Sequence, residues 1–202
     1  DGRAHLPEQV WVDNAPLTQM SDGTVPGPGQ FSVNRTNGVL SIGTNPAGKN
    51  VRVARLNYAI VAAGRIYLNG IGVRRYSPLN MEGISALMYF GGTSQDSVIE
   101  NCVFQESGMH GIATARRITL RYVTLQDCGN AGMQVTTASG FVMERFVIRR
   151  CNRGLWKAQP ITAGIKVTRT EGLTIRDGLV YDVPDSMGFW LDVSVNKSVV
   201  SN

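Results

Sequence analysis

The chain has 202 residues, a net charge of +5, 17% charged residues and 23 glycines. It is long enough for one well-filled core. Hydrophobic residues reach 43%, yet the longest apolar stretch, YAIVAAG at 58–64, falls far short of the ~20 residues a membrane span needs.

Residues 8–19, EQVWVDNAPLTQ, predict a hairpin around Asp13-Asn14. Residues 30–43, QFSVNRTNGVLSIG, predict a second, with Asn37-Gly38 as a tight-turn signal. VPGPG at 25–29 separates them. Residues 1–50 are therefore expected to form an N-terminal β-hairpin cap over the open edge of the strand-rich region that begins at residue 51.

From residue 51 to 202 the sequence repeats loosely. RIYLNGIGV (65–73), SVIENCVF (97–104), ITLRYVTL (118–125), FVMERFVI (141–148), LTIRDGLV (173–180) and SVVSN (198–202) align on Leu68, Ile99, Leu120, Met143, Ile175 and Val200. Their spacings are 31, 21, 23, 32 and 25 residues, the range of a solenoid or array. Each unit continues through a polar turn and a Gly into a second strand, as in GISALMYF (83–90), GIATA (111–115), GMQVTTA (132–138), GIKVTRT (164–170) and GFWLDVSV (188–195). Two or more strands per coil of ~22 residues fit a β-helix. Leucine-rich repeats and ~40-residue propeller blades do not. The expected fold is all-β with no long helix: a right-handed parallel β-helix preceded by the cap. KSVVSN reads as the start of another strand, so the solenoid is expected to continue through further coils or another subunit. The start at Asp1, with neither Met nor an apolar leader, is expected of a mature or excised chain.

Charges support the register. One position after the reference residue the stack reads Asn69, Glu100, Arg121, Glu144, Arg176; seven positions after, Arg75, Glu106, Asp127, Arg150, Asp182. Coils ~4.8 Å apart bring opposite signs together. At offset eight Ser107, Cys128 and Cys151 stack, the cysteines either as a buried ladder, the favoured reading, or within disulfide reach. The three cysteines form no CxxC or zinc pattern, and no cofactor is expected. Residues 116–176 hold eleven Lys or Arg against three acids. That is either a solvated face or a stripe for a polyanion. No nucleic-acid motif accompanies it.

With these repeats and turns in place, the sequence resembles the right-handed parallel β-helix repeat family, relatives of the pectate-lyase-like solenoids, of secreted bacterial type. The resemblance covers roughly 51–202 and is most specific in AGIKVTRTEGLTIRDGLVYDVPDSMGFWLD at 163–192. VWVDNAPL and FSVNRTNGVLSIG resemble segments that precede such solenoids. The resemblance implies an extracytoplasmic protein, secreted or at the cell surface, that handles carbohydrate. It fixes no reaction, because function lives in the site.

Strand alternation puts Ala113, Gln134, Lys166 and Trp190 in one outward row, with Ala115, Thr136, Thr168 and Asp192 beside it. His110 is expected at the turn leading onto this face. The long coils add WKAQPITA (156–163), beginning with Trp156 and Lys157, and YSPLNMEG (76–83), as walls of a groove. The candidate catalytic residues are Lys166, Asp192 and His110. The candidate substrate-binding residues are Gln134, Trp156, Lys157 and Trp190. Each has a plainer reading: Trp190 packs under a loop, Lys166 is solvated, His110 is a turn residue, and Asp192 caps a turn or pairs with Lys166.

Three chemistries remain open. A polysaccharide lyase needs a base (Lys166, Arg153 or His110) and neutralisation of a uronate. A glycoside hydrolase needs two carboxylates about 5–9 Å apart, with Asp192 and either Asp185 or Asp182 as candidates. The third is a non-catalytic glycan-binding or structural module within a larger assembly.

Overall fold

The computed structural model describes residues 8–77, 85–155 and 161–202. Among them there is no α-helix. Three parallel sheets run the length of the solenoid. The first holds Ile60–Ala62, Ala86–Phe90, His110–Thr114, Met133–Thr136, Ala163–Thr168 and Met187–Asp192. The second holds Tyr67–Asn69, Ser97–Glu100, Ile118–Arg121, Val142–Glu144, Thr174–Arg176 and Val199–Ser201. The third holds Gly72–Tyr76, Val103–Ser107, Thr124–Gln126, Val147–Arg149 and Leu179–Tyr181. Each coil visits the three in turn, which is a parallel β-helix, and parallel crossovers of this kind are right-handed.

The register is the one the repeats specify. Leu68, Ile99, Leu120, Met143, Ile175 and Val200 pair in succession. Ile99, Leu120, Met143 and Ile175 are all at most 1% exposed. A second inward row, Met88, Ile112, Met133 and Ile165, is fully buried in the first sheet. Residues continuing these rows in the last described coil are open: Phe189 is 39% exposed and Val200 48%.

Corners are turned by single left-handed residues. Between the second and third sheets these are Gly70, Asn101, Tyr122, Arg145 and Asp177, all at φ between 52° and 74°. Four of the five carry a side chain, and such a conformation is uncommon outside Gly, Asn and Asp. Stacking offsets the strain, because the N–H at each corner finds the next coil. Asn101 N donates to Arg121 O at 3.1 Å, and Arg145 N to Arg176 O at 3.2 Å.

The charge rows are ion-paired ladders. Glu144 accepts from Arg121 at 2.6 Å and from Arg176, and Arg121 reaches back to Glu100 at 3.3 Å. Arg75 meets Glu106 at 2.7 Å, and Arg150 meets Asp127 at 2.8 Å. The glycine preceding each first-sheet strand core has a steric reason. A Cβ on Gly132 would lie 2.6 Å from Ile148 Cγ2, and one on Gly164 2.5 Å from Val180 Cγ1. Cys102, Cys128 and Cys151 are free thiols, each 0% exposed. The Cys128 thiol is pushed well up by its hydrogen bond with Cys151 and by burial.

The first N-terminal hairpin pairs Val12 with Ala15 around Asp13 and Asn14, both at positive φ (50° and 68°), the two-residue turn that Asp-Asn allows. Val10–Val12 then pairs on its other side with Val51–Val53. The second hairpin pairs Phe31 with Ile42 through Asn34 with Val39. Its loop is four residues, not a two-residue Asn-Gly turn. Gly38 takes φ 72°, and Asn34 Oδ1 accepts from the N–H groups of Thr36 and Asn37 instead.

Candidate functional site

The outward strip of the first sheet is assembled as alternation requires. Tyr89 pairs with Ala113, Ala113 with Gln134, Gln134 with Lys166, and Lys166 with Trp190. Thr136, Thr168 and Asp192 form the neighbouring row. From Tyr89 to Trp190 is four coil steps, or ~19 Å. Tyr89 is absent from the sequence-derived candidates; extending the outward row back one coil through GISALMYF finds it.

Exposure departs from expectation. Ala113 is 0%, Gln134 5% and Lys166 5% exposed. Alternation fixes which face a side chain takes, not whether solvent reaches it. Trp190 and Asp192 remain partly exposed. The expected solvated Lys166 is therefore corrected to a buried cation. Its Nζ lies 3.2 Å from Asp192 Oδ2 and 3.6 Å from the centroid of the Trp190 ring. An ammonium over an indole face is held by the ring quadrupole, so Lys166 occupies one face of Trp190. The Lys166 hydrogen bond, the Val193 N–H and the cationic charge hold the Asp192 carboxyl below the usual carboxylate range. A general acid needs the opposite shift, so Asp192 is an acceptor here. Gln134 Oε1 is buried without a hydrogen-bond partner.

His110 is not a turn residue. It begins the strand His110–Thr114 and is 0% exposed. Its Nδ1 accepts from Ala131 N at 3.3 Å, and Nε2 has no partner. Burial lowers its pKa to about 4, so it is a neutral, enclosed imidazole at ordinary pH. Trp156 and Lys157 lie outside the described residues. Asp182 and Asp185 both sit at left-handed corners.

The basic stripe is largely compensated. Arg117, Arg121, Arg150, Arg153, Lys166 and Arg176 each have a carboxylate within 4.0 Å. Arg149 bonds Gln126 and Tyr181, and Arg145 bonds the Tyr122 hydroxyl. Among the described residues no three His, Cys, Asp or Glu side chains gather as metal ligands.

No family model matches the chain, and no curated protein matches it. Among solved structures, XylC in its complex with xylose shares the fold at a TM-score of 0.70 and 11% identity, over 95% of this chain. This chain spans 42% of that one, less than half its length. The three stacked sheets and this likeness define a parallel β-helix protein.

Proposed function

We propose that the chain is part of a secreted or cell-surface β-helix protein that binds a polysaccharide along the outward strip of its first sheet. The observation that carries this reading is the Trp190–Lys166–Asp192 constellation. Lys166 covers one face of the indole and fixes its orientation. The exposed part of the ring is then available to a pyranose, whose apolar face stacks on it. Asp192, kept ionised, accepts the sugar hydroxyls. Lys166 is a positioning residue, since it is buried and already committed to Asp192. Tyr89 at the other end of the strip supplies a second ring for a short oligosaccharide.

The pectate-lyase-like resemblance of the sequence and the xylose held by the structural neighbour XylC both support a carbohydrate ligand. Binding fits the described residues better than cleavage. His110 is enclosed, and Asp192 is shifted away from general-acid behaviour. A neutral glycan fits better than an acidic one, because the arginines of the stripe are ion-paired between coils. The open inward residues Phe189, Leu191 and Val200 suit stacking of a further coil or another subunit.

A glycan array tests the reading. The expected result is retention of neutral plant- or cell-wall-type oligosaccharides, little changed between low and moderate salt. Retention of uronate polymers alone, lost on adding salt, would reverse the preference for neutral glycans. Absence of any glycan binding would remove the proposal.

A further inference from the structure

The cap hairpin does not lie flush on the solenoid. Between residues 8–19 and the turns that lead from the third sheet into the first is a cavity of about 160 Å³. By volume that holds roughly five waters at ~30 Å³ each. Its wall includes Glu8, Gln9, Trp11 and Gln19 from the cap, and Asp127 and Arg153 from the turns.

Three of these residues carry buried polar atoms with no hydrogen-bond partner: Gln9 Oε1, Trp11 Nε1 and Gln19 Oε1. Trp11 is 2% exposed and Gln19 9%. Buried polar atoms are nearly always satisfied, and each exception needs an explanation. Three exceptions on one cavity wall, two acceptors and one donor, point to something that completes them.

The groups are held in place. Trp11 pairs with Pro16 on one side and Arg52 on the other, and the Arg75 guanidinium stacks 4.8 Å from its ring centroid. Gln19 Nε2 donates to Glu8 Oε2 at 2.6 Å, which aims the amide and leaves its oxygen over.

Charge defines the ligand. Glu8 is paired with Arg35, and Asp127 with Arg150. Burial pushes the Asp127 carboxyl up, but the Arg150 hydrogen bonds and the nearby arginine charges outweigh it, so it stays ionised. Arg153 lies 3.9 Å from the same carboxylate. The wall is thus polar and charge-balanced. It needs a neutral partner whose groups donate to two amide oxygens and accept from an indole N–H. Hydroxyl groups do both. We propose that this cavity is a second ligand site, taking one neutral, ring-sized polyhydroxyl compound of the aldose class. It shares no residue with the strip on the first sheet.

The test titrates the 202-residue chain with D-xylose, D-glucose, D-galactose and D-galacturonate, followed by calorimetry and saturation-transfer NMR. Saturable, millimolar binding of at least one neutral sugar is expected. Trp11→Phe keeps an aromatic ring and removes the indole N–H, and Gln19→Met keeps length and removes the acceptor. Each should weaken binding about tenfold, the scale of one hydrogen bond, while Trp190→Ala leaves it intact. Should Trp11→Phe fail to fold, as read by its melting temperature, Gln19→Met and Gln9→Met carry the test. Flat titrations for every neutral sugar mean the cavity holds water only and overturn the proposal. Tighter binding of galacturonate overturns it too. Binding lost on Trp190→Ala but kept in the cap variants assigns the sugar to the strip and refutes the cavity site.

Discussion

Leu120→Ala and Val200→Ala alter two positions of one stack, and their difference measures how well the coils are in register. Leu120 is fully buried between Ile99 and Met143. Truncation removes three carbons, about 2.4 kcal/mol of transfer free energy at ~0.8 per group. The closely packed neighbours relax only partly, and the residual cavity raises the loss to about 3–4 kcal/mol. Val200 continues the same row but is 48% exposed, so losing its two methyls costs about 1 kcal/mol or less. Urea unfolding followed by far-UV circular dichroism reads both. Hydrogen exchange at 118–121 and 199–201 localises the change, since solenoids need not unfold in one step. Equal losses at the two sites, or a Leu120→Ala loss under about 1 kcal/mol, would refute the stacked register.

The hydrogen bonds of Arg121 and Arg176 hold the Glu144 carboxyl below its ordinary value. Its contribution to stability is therefore present above the unfolded value of about 4.3 and lost as pH falls through the depressed folded value. Glu144→Gln should flatten the acid limb of a melting-temperature profile, and an unchanged limb would contradict the ladder. His110 behaves differently: burial lowers its folded pKa to about 4, so protonation favours unfolding. Stability should fall as pH drops from about 6.5 toward 4, and His110→Gln should remove that slope; a profile flat over this window in the wild type would contradict an enclosed imidazole. With all three cysteines buried and free, none should react with a thiol reagent at about pH 8 in the native state, and all should react in denaturant; fast native labelling would contradict the buried ladder.

Much of this architecture is legible in the sequence because a β-helix repeats one physical problem. Leu68 through Val200 align because one inward position must be apolar in every coil. Glu100, Arg121, Glu144 and Arg176 alternate in sign because they sit one coil apart. The features that escape a sequence reading have physical causes as well. Alternation orients Gln134 and Lys166 outward, but their coverage depends on packing distant in sequence. Nothing local marks Tyr122 or Arg145 as left-handed; the next coil's carbonyls impose that conformation. The cavity beneath the cap joins residues 8–19 to Asp127 and Arg153, far along the chain, and Gln9, Trp11 and Gln19 in isolation read as ordinary hairpin residues.

Glycan binding along the strip is tested most directly by titrating the Trp190→Ala variant with an oligosaccharide that the wild-type chain retains. Trp190 is partly exposed in the last described strand of the first sheet, so the ring contributes little to the core. Binding should weaken by about 1–3 kcal/mol, the scale of burying an aromatic side chain, with an unchanged unfolding midpoint. A variant that unfolds more easily yet binds the oligosaccharide as tightly as the wild type would contradict the strip as the binding site.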